Sequence, residues 1–148
     1  MSLQHILAKL PYSKPFLYVD SLIEINENYA EGSYSFKEDE FFYQGHFTGH
    51  PVTPGVILTE CCAQIGLVAL GIFLLEKEGA SLKNVKIAMS SSQMEFYLPV
   101  YPLELVTVKS EKVYFRFQKL KCEVKMYNSL GKLVCKGSLS GMLKKETP

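Results

Sequence analysis

The chain has 148 residues, 47% of them hydrophobic and 21% charged, which is enough to bury a substantial core in one domain spanning residues 1–148. Sixteen lysines and arginines against fifteen aspartates and glutamates leave a formal net charge of +1, so the total points to neither a polyanionic nor a polycationic partner. The nine tyrosines and nine phenylalanines lack basic interleaving, which argues against nucleic-acid binding.

Residues 1–15 contain no apolar run long enough for a signal peptide, and His5 reads as a surface residue. Phe16 to Ile25 reads as a first strand and Tyr29 to Phe36 as a second, with Asn26-Glu27-Asn28 as the turn between them. Lys37 to Glu40 is an exposed, mostly acidic lead-in to a loop punctuated by glycine and proline. In that loop Pro51 and Pro54 fix φ and push His50 and Thr53 toward extended backbone, while Gly45, Gly49 and Gly55 permit close approaches. Thr53 before Pro54 reads as an N-cap followed by proline at the first helical position, so a helix is expected from there toward Lys77.

Apart from Thr59, Glu60 and Gln64, the stretch from Val56 to Leu75 is apolar on every side, which marks a helix enclosed by other structure. It has the length of a membrane span, but Glu60 and Gln64 interrupt it, Gly66 and Gly71 suit close packing, and no membrane association is expected. A lone enclosed acid is desolvated, which raises its pKa, so Glu60 is a candidate proton donor. Gln64 follows one helical turn later on the same face, where its amide can orient that carboxyl or a substrate oxygen. His46 lies on the loop aimed at the helix start, where first-turn N–H groups are free to receive an oxygen gaining negative charge. A base, an acid and an oxyanion site together suit elimination of water beside a carbonyl. A capping role for His46, a merely structural hydrogen bond for Glu60, and His50 as the rival base remain open at this point.

Glu78-Gly79-Ala80-Ser81 supplies a glycine stop. Beyond it, Val85 to Met89, Gln93 to Leu98, Leu103 to Lys109, Val113 to Tyr127 and Lys132 to Leu143 read as strands, and Asn128-Ser129-Leu130-Gly131 as a hairpin turn. One helix among antiparallel strands is α+β. Residues 105–148 carry ten basic and three acidic side chains, an excess of seven that suits either an acidic partner or solvated strand faces. Cys61, Cys62, Cys122 and Cys135 show no zinc spacing and are expected as reduced core residues of a cytoplasmic protein, with no metal. A nucleophilic Cys61 or Cys62 is the lesser alternative.

His46-Phe47-x-Gly-x-Pro-Val-x-Pro-Gly-Val, followed by Glu60-x-x-Ala-Gln64, resembles the signature of the FabZ-type 3-hydroxyacyl-carrier-protein dehydratases. Leu10-Pro11 with Pro15-Phe16-Leu17 and Val19-Asp20 is similar to the opening of that family, Phe41 to Gly45 to its approach to the histidine, and Met94-Glu95-Phe96 through Pro99-Val100 to the strand after its helix. The resemblance implies a hot-dog fold, a curled antiparallel sheet around one long helix, assembled as a homodimer or a trimer of dimers. It also implies a site between subunits, with His46 of one chain facing the partner subunit's Glu60. His46 would remove the proton alpha to the thioester carbonyl, Glu60 would protonate the departing hydroxyl, and the N–H near Gly55 or Val56 would bind the thioester oxygen. Phe47 and Gln64 would complete the substrate contacts. No cofactor is expected beyond the phosphopantetheine that carries the substrate on an acyl carrier protein.

Departures from the pattern concentrate near the loop and after the helix. Thr48 stands where proline is usual and Thr53 where methionine is usual, Tyr97 and Leu98 replace arginines, and Leu103-Glu104 replaces glycine and aspartate. The chemistry is therefore better supported than the carrier docking. A hot-dog thioesterase and a non-catalytic subunit that binds an acyl carrier protein are the alternatives.

Overall fold

The computed structural model describes residues 2–83 and 85–145. Six strands form one wholly antiparallel sheet in the order β1-β2-β4-β5-β6-β3. They are β1 (Ser21–Asn26), β2 (Tyr29–Ser35), β3 (Val85–Phe96), β4 (Leu105–Arg116), β5 (Lys119–Asn128) and β6 (Leu133–Lys145). A short helix α1 (Leu3–Lys9) precedes them, and the long helix α2 (Gly55–Lys77) lies inside the curl of the sheet. This is the hot-dog architecture expected from the sequence.

Alternation along the strands explains the enclosure. Over residues 106–110 of β4 and 120–126 of β5 every second side chain, including Val106, Val108, Leu120, Cys122, Val124 and Met126, is essentially fully buried against the helix. The helix answers with Ile65, Leu67, Ala69 and Leu70, which expose no surface. Although Gly55–Lys77 is long and apolar enough to cross a membrane, 78% of its most apolar window is buried inside this fold. Val56, at its first turn, is the exception to that enclosure, with 75% of its surface exposed.

Halfway along α2 the hydrogen bonding widens into a π-helical segment, Gln64–Ala69, which carries Gly66 against the sheet. There the Ser110 hydroxyl donates to the Gly66 carbonyl at 2.9 Å. A Cβ on Gly66 would lie 2.8 Å from the Ser110 Cβ and 2.9 Å from a Val124 methyl. Gly66→Ala is therefore expected to destabilise the fold by about 1–3 kcal/mol, read as a lowered midpoint in urea unfolding at unchanged slope.

Several boundaries differ from the sequence reading. Helix α1 was not anticipated, since seven residues give too little periodicity. Its exposed His5 bonds Glu76 of α2 through Nε2 at 2.8 Å. The first strand begins at Ser21 rather than Phe16, because the backbone of Phe16 and Tyr18 is engaged by Gln64 instead of a neighbouring strand. β3 is one strand with a bulge between Met89 and Ser91, not two. β4 continues to Arg116, and the hairpin to β5 turns at Phe117 and Gln118, both at positive φ.

Leu103 lies outside β4, in a turn at φ 72°, where its N–H donates to the Phe36 carbonyl and its side chain is 70% exposed. A branched side chain is disfavoured in that left-handed region, whereas glycine is not. Leu103→Gly is expected to stabilise the chain by about 1 kcal/mol, as a raised melting temperature, since little buried surface is lost.

Candidate active site

Between the 3₁₀ turn Phe41–Gln44 and α2 the chain forms a loop that fixes His46 from three directions. The His46 N–H donates to the Phe42 carbonyl at 3.1 Å, and its carbonyl accepts from the Val52 N–H at 2.9 Å. The ring Nδ1 stands 2.8 Å from the Val52 carbonyl oxygen, which can only accept, so Nδ1 carries the proton. That tautomer leaves the Nε2 lone pair available as a base. Phe47 stacks on the imidazole with ring centres 4.2 Å apart and is 58% exposed. Reciprocal backbone bonds between Phe47 and His50 close the loop tip around Gly49, whose φ is +76°. His50 is exposed, and its side chain makes no hydrogen bond among the described residues.

The helix start departs by one residue from the expected cap. Pro54 occupies the N-cap position and Gly55 is the first helical residue. The Thr53 hydroxyl does not cap; it pairs with the buried Tyr43 hydroxyl at 2.6 Å, and its N–H donates to the Val100 carbonyl. The N–H groups of Gly55 and Val56 have no acceptor among the described residues, as the first turn of a helix requires. A Cβ on Gly55 would meet the Phe96 ring at 3.2 Å, so glycine lets that ring approach the helix start. Beside it lies an open cavity of about 300 Å³ lined by Thr53, Gly55, Leu58, Phe96, Tyr97 and Pro99.

Glu60, one turn further along, is half-buried rather than enclosed. Burial raises its carboxyl pKa above the usual 4.5, partly opposed by a 3.0 Å hydrogen bond from the Gln64 amide. Gln64 is fully buried and spends its amide inside the chain: Nε2 also donates to the Phe16 carbonyl at 2.9 Å, and Oε1 accepts from the Tyr18 N–H at 2.8 Å. The sequence placed Gln64 among substrate-contacting residues. In the structure its amide positions Glu60, the first of the two roles its spacing offered, and ties the 16–18 segment to α2. Within one chain no hydrogen bond joins His46 to Glu60 among the described residues.

The match extends to whole proteins. The family model for the FabA-like domain matches residues 10–137. The chain belongs to the FabA-like family. It is 36% identical over 135 residues to the 3-hydroxyacyl-[acyl-carrier-protein] dehydratase FabZ of Caldicellulosiruptor saccharolyticus, covering 90% of this chain and 92% of that one. Identity to the dehydratase of the same name from Roseiflexus castenholzii is 32% over 144 residues, 94% of each chain. Among solved structures, the dehydratase heterocomplex ApeI:P from Xenorhabdus doucetiae superposes with a TM-score of 0.78 at 11% identity, over 95% of this chain and 91% of that one. At that identity the likeness shows the fold.

Within this FabA-like frame the structure adds two tyrosines that the sequence did not single out. Burial and the nearby Glu60 carboxylate push the Tyr12 phenol up to about 12. Tyr18 shifts up to about 12 as well, from burial first and then from Glu40 and Glu60, and its hydroxyl is buried without a partner among the described residues. Tyr12 lies outside every element read from the sequence, and Tyr18 lay in the stretch read as the first strand, where nothing set it apart from its neighbours. The four cysteines are free and buried, and burial raises the thiols of Cys61 and Cys122, which argues against a nucleophile.

Proposed function

We propose that the chain is a hydro-lyase that removes water from 3-hydroxyacyl thioesters carried on an acyl carrier protein, in fatty-acid or related synthesis, and releases trans-2-enoyl thioesters. The observation that carries this reading is the pairing of an imidazole whose Nε2 is left free by the Nδ1–H bond to Val52 with a half-buried carboxyl of raised pKa. The relatives named for this activity, aligned over most of both chains, support it.

In the proposed reaction His46 Nε2 takes the proton from the carbon alpha to the thioester. The electron pair of that C–H bond forms the new double bond, and the bond from the beta carbon to its hydroxyl breaks. Glu60 gives its proton to the departing oxygen, which leaves as water. The thioester oxygen, gaining charge as the alpha proton leaves, is received by the free N–H groups of Gly55 and Val56. Phe47 on the ring of His46 would form an apolar wall of the substrate channel.

The site would be completed across a homodimer, His46 of one chain meeting the partner subunit's Glu60. Strand β3 supports this arrangement: it is a twelve-residue edge strand carrying exposed Met89 and Phe96, with exposed Tyr97 just beyond it, and an open edge of that length is a template for pairing. Reduced, buried cysteines suit the cytoplasmic setting.

Intact mass of a 3-hydroxyacyl carrier protein incubated with the chain tests the reading. Loss of one water with the wild type, and no change with a His46→Ala control, is the expected result. Loss of the whole acyl group would make it a thioesterase, and an unchanged mass across chain lengths and carriers would make it a binding subunit.

A further inference from the structure

The outer face of the sheet sorts its charges into rows. Register places Glu31, Lys109, Lys125, Lys136 and Glu95 directly opposite one another across β2, β4, β5, β6 and β3. Two residues along the strands, a second row runs Tyr29, Glu111, Glu123, Ser138 and Gln93. A trough of about 550 Å³ is lined by side chains of both rows.

Like charges directly opposite on a sheet are destabilising, and three lysines in a line beside two opposed glutamates is the costly arrangement. Along β4 and β5 the signs alternate, Lys109 with Glu111 and Glu123 with Lys125, but across the strands like charges stand opposite each other. Here no ion pair within the chain relieves the cost: among the described residues Lys109, Lys125, Lys136 and Glu111 are in none. Lys109 lies over the Tyr127 ring, and Glu123 takes only the Ser138 hydroxyl.

We propose that this face docks a second copy of the same face. A two-fold axis in the plane of the interface, perpendicular to the strands and midway between the rows, sets each row over the other row of the second copy, strand by strand. Lys109 then faces the partner's Glu111, and Lys125 faces the partner's Glu123, with both pairs repeated by symmetry. The remaining positions also match: Glu31 meets the partner's Tyr29, Glu95 meets the partner's Gln93, and Lys136 meets the partner's Ser138.

Stacked sheets lie about 10 Å apart, a separation that a lysine and a glutamate reaching toward each other can bridge. A uniformly acidic partner would satisfy the lysines but set its charge over Glu111 and Glu123, and a basic one would do the reverse. The face is also distinct from the open edge of β3, so back-to-back docking leaves edge pairing possible.

Sedimentation of the full chain tests this without any reference to turnover. At about 50 mM salt the wild type should sediment with twice the mass it has at about 500 mM, where screening weakens the cross-interface pairs. Lys109→Glu with Lys125→Glu makes the four central positions 109, 111, 123 and 125 all acidic, and Glu111→Lys with Glu123→Lys makes them all basic. Each double variant alone should keep the smaller mass at low salt, and an equimolar mixture of the two should regain the doubled mass. That recovery also shows that both variants are folded. A wild-type mass unchanged by salt, a variant that doubles alone, or a mixture that stays small would each overturn the proposal.

Discussion

Replacing His46 by alanine is expected to lower turnover of a 3-hydroxyacyl carrier substrate by about 10²- to 10⁴-fold, the range for a positioned general base. The fold should survive, because the loop is held by backbone bonds that the substitution leaves in place: His46 N–H to Phe42, Val52 N–H to His46, and the reciprocal pair between Phe47 and His50. What disappears is the ring whose Nδ1–H is fixed on the Val52 carbonyl. His50→Ala is the companion measurement. His50 is exposed and its ring has no orienting partner among the described residues, so its loss should change turnover by no more than a few-fold. A dead His50 variant beside a nearly normal His46 variant would exchange the two roles.

The loop and the helix could be read in the sequence because their signals are local. Proline and glycine at fixed spacing restrict backbone angles whatever surrounds them, and the mostly apolar stretch from Val56 to Leu75 has few options but enclosure, which it finds everywhere except at exposed Val56 and half-buried Glu60, Phe73 and Leu75. The one-residue error at the cap has a local cause too. Thr53 looks like a capping residue, but its hydroxyl is captured by Tyr43, ten residues away, and no propensity reports that.

The β4–β5 hairpin stayed hidden because Phe117 and Gln118 adopt positive φ without the asparagine or glycine that ordinarily signals such a turn. Ser90-Ser91-Ser92 read as a gap between strands where the structure has a bulge within one strand. In the candidate site, the helix spacing put Gln64 beside Glu60, as the structure does. The other two amide bonds, to Phe16 and Tyr18, depend on where the first segment packs, which is a tertiary fact. The charge rows could not be read either: Lys109, Lys125 and Lys136 look like scattered surface lysines until register aligns them.

Glu60→Gln should lower turnover by about 10²- to 10⁴-fold while making the folded chain more stable at neutral pH. The first effect follows from removal of the proton donor: glutamine keeps the shape, and its carbonyl can still accept from the Gln64 amide, but it has no acidic proton to give. The second follows from the direction of the Glu60 shift. Burial holds its folded pKa above the unfolded value, so as pH rises the unfolded chain releases this proton first. Stability is therefore lost between the ordinary carboxylate value of 4.5 and the raised one, and it stays lower above both. Glutamine carries no such proton. The melting temperature of the variant should exceed that of the wild type at neutral pH, and the difference should shrink as pH falls below 4.5, where Glu60 is protonated in both states. The pH–rate profile carries the same signature. Wild-type turnover should fall as pH rises through the raised Glu60 pKa, and the residual turnover of the variant should lack that limb. A variant that lost activity together with stability would make Glu60 a packing residue, whereas lost turnover with a gained melting temperature marks a carboxyl whose burial costs stability and whose proton serves the transfer.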